Sequence, residues 1–207
     1  AQSTRGFTDS DFDTKAYAPV VKHNRFNRFT GIQVQNVSGG AINIDVNYTG
    51  TAGACAGNTY TDSATNVPAG TSQTFVQIAG RTNLPSDCTA SATIEATGNI
   101  VAIVNESYLS DAIPASGQAS VTSSALPDGA ATTEISVPLF KDDRFGKRTG
   151  LQIQNVGASK ATNVVATFEC QGAASFTAVS QPQEVAAGGG LLFYTPSDDS
   201  SLFTSGD

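Results

Sequence analysis

The sequence contains no methionine and no tryptophan, a single histidine, three cysteines and only 14% charged residues among 207. Each shortage excludes something. One histidine, His23, cannot supply the paired imidazoles of a catalytic zinc site, and no HxH or HExxH spacing surrounds it. No Ser-His-Asp or Cys-His arrangement recurs with it either, so nothing points to an enzyme. Positive charge is scarce: eleven Lys and Arg against eighteen Asp and Glu leave a net charge of −7. That argues against nucleic acid as a partner, because affinity for phosphates depends on cations that displace counterions. No apolar run reaches the roughly 18 residues required of a membrane-spanning helix, so no transmembrane segment is expected. A hydrophobic content of 39% is that of a folded chain, too apolar for disorder.

What is present is a long internal repeat. TGIQVQNV, Thr30 to Val37, returns as TGLQIQNV, Thr149 to Val156, a shift of 119 positions. From Pro19 to Val37 against Pro138 to Val156, ten of nineteen positions match: Pro19, Lys22, Arg25, Phe26, Thr30, Gly31, Gln33, Gln35, Asn36 and Val37 all recur. Average composition gives roughly one match by chance. A period this long means repeated domains and not the short units of a solenoid. The expected division is 1–119 and 120–207, each half long enough for its own core.

Short alternations of apolar and polar residues, rich in Ser, Thr, Ala, Gly, Val and Asn, predict an all-β fold. Tyr17 to Lys22 and Ser136 to Lys141 read as equivalent first strands, with Pro19 and Pro138 at an edge or strand start. Thr30 to Val37 alternates, with Ile32 and Val34 on one face and Gln33 and Gln35 on the other. Ala41 to Tyr48 puts Ile42, Ile44, Val46 and Tyr48 on one side, and Thr162 to Phe168 is its counterpart. Weaker signals mark Thr59 to Thr65 and Ser72 to Ile78, the latter matched by Gly190 to Tyr194. Ala90 to Ala96 and Ile100 to Ser107, separated by Thr97-Gly98-Asn99, read as a hairpin. About seven antiparallel strands in some 105 residues is the pattern of an immunoglobulin-like β-sandwich, with a small barrel as the alternative. In register, Cys88 maps to the last residue, Asp207, so the second sandwich is expected to lack its last two strands. Either further chain or strands from a neighbouring molecule would complete it, the latter by β-augmentation. The Ala1-Gln2 start is that expected after removal of a signal peptide.

A strand ending in Gln-Asn-Val, an alternating strand, and Pro68-Ala69-Gly70-Thr71-Ser72 before another strand together resemble the bacterial Ig-like domains of the CARDB type found in secreted cell-surface proteins. The TGIQVQNV and IVAIVNES segments are similar in particular to repeats of Chloroflexota surface proteins. The resemblance covers most of both halves and implies a secreted array of β-sandwiches. Its motifs are structural and carry over no catalytic residue.

Candidate sites are few. Cys55 and Cys88 are expected to form a disulfide; two free thiols are the alternative, and Cys170 is the odd cysteine. Asp9, Asp11 and Asp13 alternate like the opening of a calcium loop, but no Gly follows at the sixth position and no Glu at the twelfth. Arg25, Arg28, Arg144, Lys147 and Arg148 place basic residues in the same loop of each half, candidates for inter-domain or inter-subunit contacts on an acidic protein. Gln33, Gln35, Gln152 and Gln154 form repeated polar faces of the kind that line a glycan-binding sheet; without clustered aromatics beside them they read as solvated sheet faces. Asn36, Asn47 and Asn105 lie in Asn-x-Ser/Thr sequons. Asp142-Asp143 and Asp198-Asp199 are adjacent and point apart when extended, so a glycosidase carboxylate pair is not indicated. No cofactor or metal is expected. The sequence therefore predicts a non-catalytic extracellular structural protein that self-associates into a surface filament, layer or stalk; the alternative is an adhesin or a module binding a glycan or surface protein.

Overall fold

The computed structural model describes residues 5–108, 120–142, 145–146, 149–170, 176–193 and 203–205. The described residues are all-β with antiparallel pairing, and their only helical turns are short 3-10 segments at Asp9–Asp11 and Asp128–Ala130. The chain divides into two compact units, Ala1–Ala131 and Thr132–Asp207.

The first unit contains β1 (Asp13–His23), β2 (Arg28–Asn36), β3 (Ile42–Gly53), β4 (Thr59–Val67), β5 (Ser72–Val76), β6 (Cys88–Tyr108), β7 (Ser120–Ser124) and β8 (Leu126–Pro127). The alternation read in the sequence is the burial observed: Ile32 and Val34 of β2, and Ile42, Ile44, Val46 and Tyr48 of β3, are buried, whereas Gln33, Gln35, Asn43 and Asp45 are exposed. Each such Ile or Val contributes about 1.5–3 kcal/mol when fully removed from water. The two strands share one core with Ile94, Ile100, Ala102 and Phe75.

β6 organises this unit. It is one 21-residue strand, where a hairpin across Thr97-Gly98-Asn99 was expected. Its first half lies between β1 and β3, with Ala92 opposite both Ala18 and Tyr48. Its second half lies between β2 and β7, with Val104 opposite Ile32 and Ser123. The strand passes through the turn-like triplet because its two ends pair with other strands and not with each other, and the Asn99 carbonyl within it accepts the Val37 N–H at 3.0 Å. Gly98 is small for a packing reason: a Cβ there would stand 2.7 Å from Ile42 Cγ2 and 3.0 Å from Ser38 Oγ.

Two further expectations change. Pro19 lies inside β1 and not at a strand start, at the register shift between Ala18 and Val21, a bulge that tolerates its missing N–H; β8 covers the far side of β1 only at Ala16 and Tyr17. The first unit also runs to Ala131 and not to residue 119. Ala125 is buried and its N–H donates to the Ala102 carbonyl at 2.9 Å. Leu126 and Pro127 then pair with Tyr17 and Ala16, and the Tyr17 hydroxyl donates to Asp128.

The second unit contains β9 (Leu151–Gln154), β10 (Ala161–Val164), β11 (Thr167–Cys170), β12 (Phe176–Ser180), β13 (Gln183–Val185), β14 (Gly190–Phe193) and β15 (Phe203–Ser205). It repeats the pairings of the first: β9 with β14 as β2 with β5, and β10 and β11 with β13 and β12 as β3 with β4. Phe193 and Val185 are buried at the positions of Phe75 and Val67. Among the described residues no strand takes the place of β6. The expected first strand, Ser136 to Lys141, forms no strand among the described residues, although the Lys141 carbonyl at its end accepts the Thr149 N–H at 2.9 Å; an extended segment becomes a strand only when a neighbour takes its N–H and C=O groups along its length.

Candidate functional site

The residues that recur in both halves mostly hold backbone. Asn36 ends β2 with its side chain buried; its amide donates to the carbonyls of Gly40 (2.8 Å) and Val67 (3.0 Å), and its Oδ1 accepts the Ser38 N–H at 2.9 Å. Asn155 repeats this, donating to Ser159 (2.8 Å) and Val185 (3.0 Å) and accepting from Gly157 N at 3.0 Å. The backbone does the same: Gly70 N donates to Asn36 O, and Gly188 N to Asn155 O, each at 2.9 Å. Thr30 Oγ1 accepts from Lys22 N and Thr149 Oγ1 from Lys141 N, both at 3.0 Å. The recurring Lys, Thr and Asn positions thus fasten the strand to the segments on either side of it.

Beneath β2 lies a buried polar chain. Gln77 Nε2 donates to the Tyr48 hydroxyl (2.9 Å), which donates to Asp62 (2.9 Å). Thr82 Oγ1 and Asn83 N also donate to Asp62, at 2.6 and 2.8 Å, and Thr30 Oγ1 donates to Gln77 Oε1 at 2.8 Å. Burial, reinforced by the Asp62 carboxylate, pushes the Tyr48 hydroxyl far above its ordinary range and keeps it neutral. In the second unit Phe168 and Ser180 stand where Tyr48 and Asp62 stand in the first. Donor and acceptor are replaced together, which avoids orphaning either one.

His23 is buried and its Nδ1 lies 2.7 Å from the Leu84 carbonyl; a carbonyl only accepts, so this nitrogen carries the proton. Cys55 and Cys88 form the expected disulfide, with Cα atoms 5.4 Å apart. The side chain of Cys170 lies outside the described residues.

Asp9, Asp11 and Asp13 do not converge. Asp11 accepts from Arg5 and from Thr8 N at 2.8 Å, and the Arg5 guanidinium, with the Thr8 N–H, holds its carboxyl well below the usual range. Asp13 opens β1 and its Oδ1 accepts the Lys15 N–H at 3.3 Å. No group of three His, Cys, Asp or Glu suited to a metal occurs among the described residues.

Arg25 pairs with Asp87 at 2.7 Å, and Arg28 pairs with Glu106 while stacking 4.3 Å above the Tyr108 ring. Glu106 also takes Lys22 at 2.9 Å, so both loop arginines and this lysine are engaged inside the first unit. Arg144, Lys147 and Arg148 lie outside the described residues. Gln33 and Gln35 face solvent beside Thr74 and Ser72 of β5 and the apolar Ile103 and Val101 of β6, a mixed strip without an aromatic ring among those neighbours. Gln152 and Gln154 are half-buried in β9. Of the sequons, Asn36 uses its amide inside the core, whereas Asn47 and Asn105 are partly accessible. A depression of about 110 Å³, lined by Val20, Thr30, Val104, Glu106, Val121 and Ser123, is well below the roughly 300–1,000 Å³ of small-molecule sites.

The structure adds one feature that sequence reasoning passed over. Phe26, at φ 55°, is 67% exposed, and Phe145, at φ 56°, is 79% exposed. Left-handed backbone is costly for a bulky residue. Both copies nevertheless hold a phenylalanine in it at the tip of the same turn, and Arg25 lies 4.8 Å over the Phe26 ring. The available signal was an apolar residue retained in both halves inside an otherwise polar loop.

No family model and no curated protein matches this sequence. Among solved structures, the crystal structure of Thermotoga maritima 1070 aligns at a TM-score of 0.40 and 10% identity, over 56% of this chain and 95% of that one. The likeness is too distant to bear on fold or function.

Proposed function

We propose that this chain is a non-catalytic structural subunit of an extracellular filament, layer or stalk, built from tandem Ig-like units and assembled by strand addition between them. The observation that carries this reading is the use made of the repeated residues: Asn36 and Asn155, and Thr30 and Thr149, fasten backbone in the same way in each half. A motif repeated for fastening suits an array of like modules. The Cys55–Cys88 disulfide fits an oxidising compartment outside the cell. Electron microscopy and sizing across a concentration series test the reading: ordered polymers that grow with concentration are expected, and dispersed monomers throughout would overturn it.

A binding module for a glycan or surface protein is the second reading, favoured by the exposed Phe26 and Phe145 at strained loop tips. Here Phe26→Asn, which suits left-handed backbone, is expected to raise stability by about 0.5–1 kcal/mol. A glycan array with the native chain and with the F26N, F145N double variant separates the two readings. Reproducible hits lost in the variant support binding; no hits, or hits unchanged by the substitutions, count against it.

A further inference from the structure

We infer that the second unit binds an extended strand of β6's chemistry, accepted antiparallel between the 135–140 segment and β11 and along the edge of β9 that faces away from β14. The inference rests on the assembly reading above and names its occupant. The two units supply the comparison. In the first, β6 is the common partner of β1, β2 and β3. In the second, the counterparts of those three elements have no such partner among the described residues: β9 pairs with β14, β11 pairs with β12, and 135–140 pairs with nothing.

The apolar surface agrees. Ala16 and Ala18, opposite Ile94 and Ala92 of β6, are 5% and 0% exposed. Their equivalents, displaced by 119 positions, are Ile135 and Val137, at 62% and 43%, and nearby Leu139 is 69% exposed. Side chains larger than those of the first unit stand in solvent at the positions that β6 covers there. An open sheet edge with exposed apolar flanks is a template for strand addition. The occupant is specified by what fills this place in the first unit. It is an alternating segment of small and β-branched residues, some 21 long, that sets the equivalents of Ile94 and Ala92 beside Ile135 and Val137. Register follows from the first unit: Leu151 opposite the residue equivalent to Val104, Ile153 opposite that equivalent to Ala102, and Phe168 opposite that equivalent to Ala92.

The probe is a synthetic peptide of residues 88–108 carrying Cys88→Ser, added to the full 207-residue chain at dilutions where sizing gives monomer. Saturable binding at one peptide per chain is expected. Amide exchange should slow at least tenfold in 135–140, β9 and β11, with β2 unchanged. The same peptide with Val104→Pro should bind at least tenfold more weakly, because proline removes a ladder donor. Absence of binding, binding that leaves those amides unchanged, or equal binding of the proline peptide would overturn the inference. Polymers in the microscope together with a failed peptide would overturn this occupant while leaving the structural role standing; peptide binding without polymers at any concentration would do the reverse.

Discussion

Asn36 places one side chain against three stretches of backbone, so its loss is felt at all of them. Asn36→Ala leaves the Gly40 and Val67 carbonyls and the Ser38 N–H without this partner, and a loss of about 2–4 kcal/mol is expected. Denaturant unfolding measures it; a change below about 0.5 kcal/mol, the range of an ordinary surface substitution, would contradict the role. Tyr48 carries a second prediction at this scale. Its hydroxyl is held neutral well above the ordinary tyrosine value of 10. In the unfolded chain it ionises near 10, so its contribution is complete below that pH and is lost as pH rises beyond it. Tyr48→Phe should flatten the alkaline fall in stability, and Tyr48→Phe with Asp62→Ser should cost less than the two single changes summed, since the second unit already lives with that pair. Additive costs in a double-mutant cycle would refute the coupling.

At the scale of elements, β2 and β3 were legible in the sequence because a half-buried strand must alternate, and Ile32, Val34, Ile42, Ile44 and Val46 do so without interruption. The disulfide was legible as a pairing within one repeat. Strand β6 was misread at Thr97-Gly98-Asn99, since a glycine demanded by Ile42 and Ser38 from other elements looks locally like a turn. Ser136 to Lys141 failed for the opposite reason: its local pattern suits a strand, but pairing requires a neighbour. The loop tips of Phe26 and Phe145 were obscure because exposure and left-handed backbone are properties of three-dimensional placement. The covalent link between the loop after β3 and the start of β6 also belongs here. Replacing Cys55 and Cys88 by alanine opens a loop spanning a sequence separation of 33, and a loss of about 3–4 kcal/mol is expected. Comparing unfolding midpoints of the native and substituted chains, with and without reductant, checks it: reductant should shift the native midpoint alone.

For the whole molecule, the consequence of one strand serving four others is unequal stability of like units. Among the described residues, the first unit gathers twenty-one buried residues into its core around β6, and the second gathers four. Buried area is the main favourable term in folding, so the second unit should open at lower cost until a partner strand arrives. Native-state amide exchange across β2 and its repeat β9 in the dilute chain tests this most directly. The account predicts that β2 amides exchange only through global unfolding of the first unit, while β9 amides exchange at least a hundredfold faster and slow on assembly. Equal protection of β2 and β9 in the dilute monomer would contradict it.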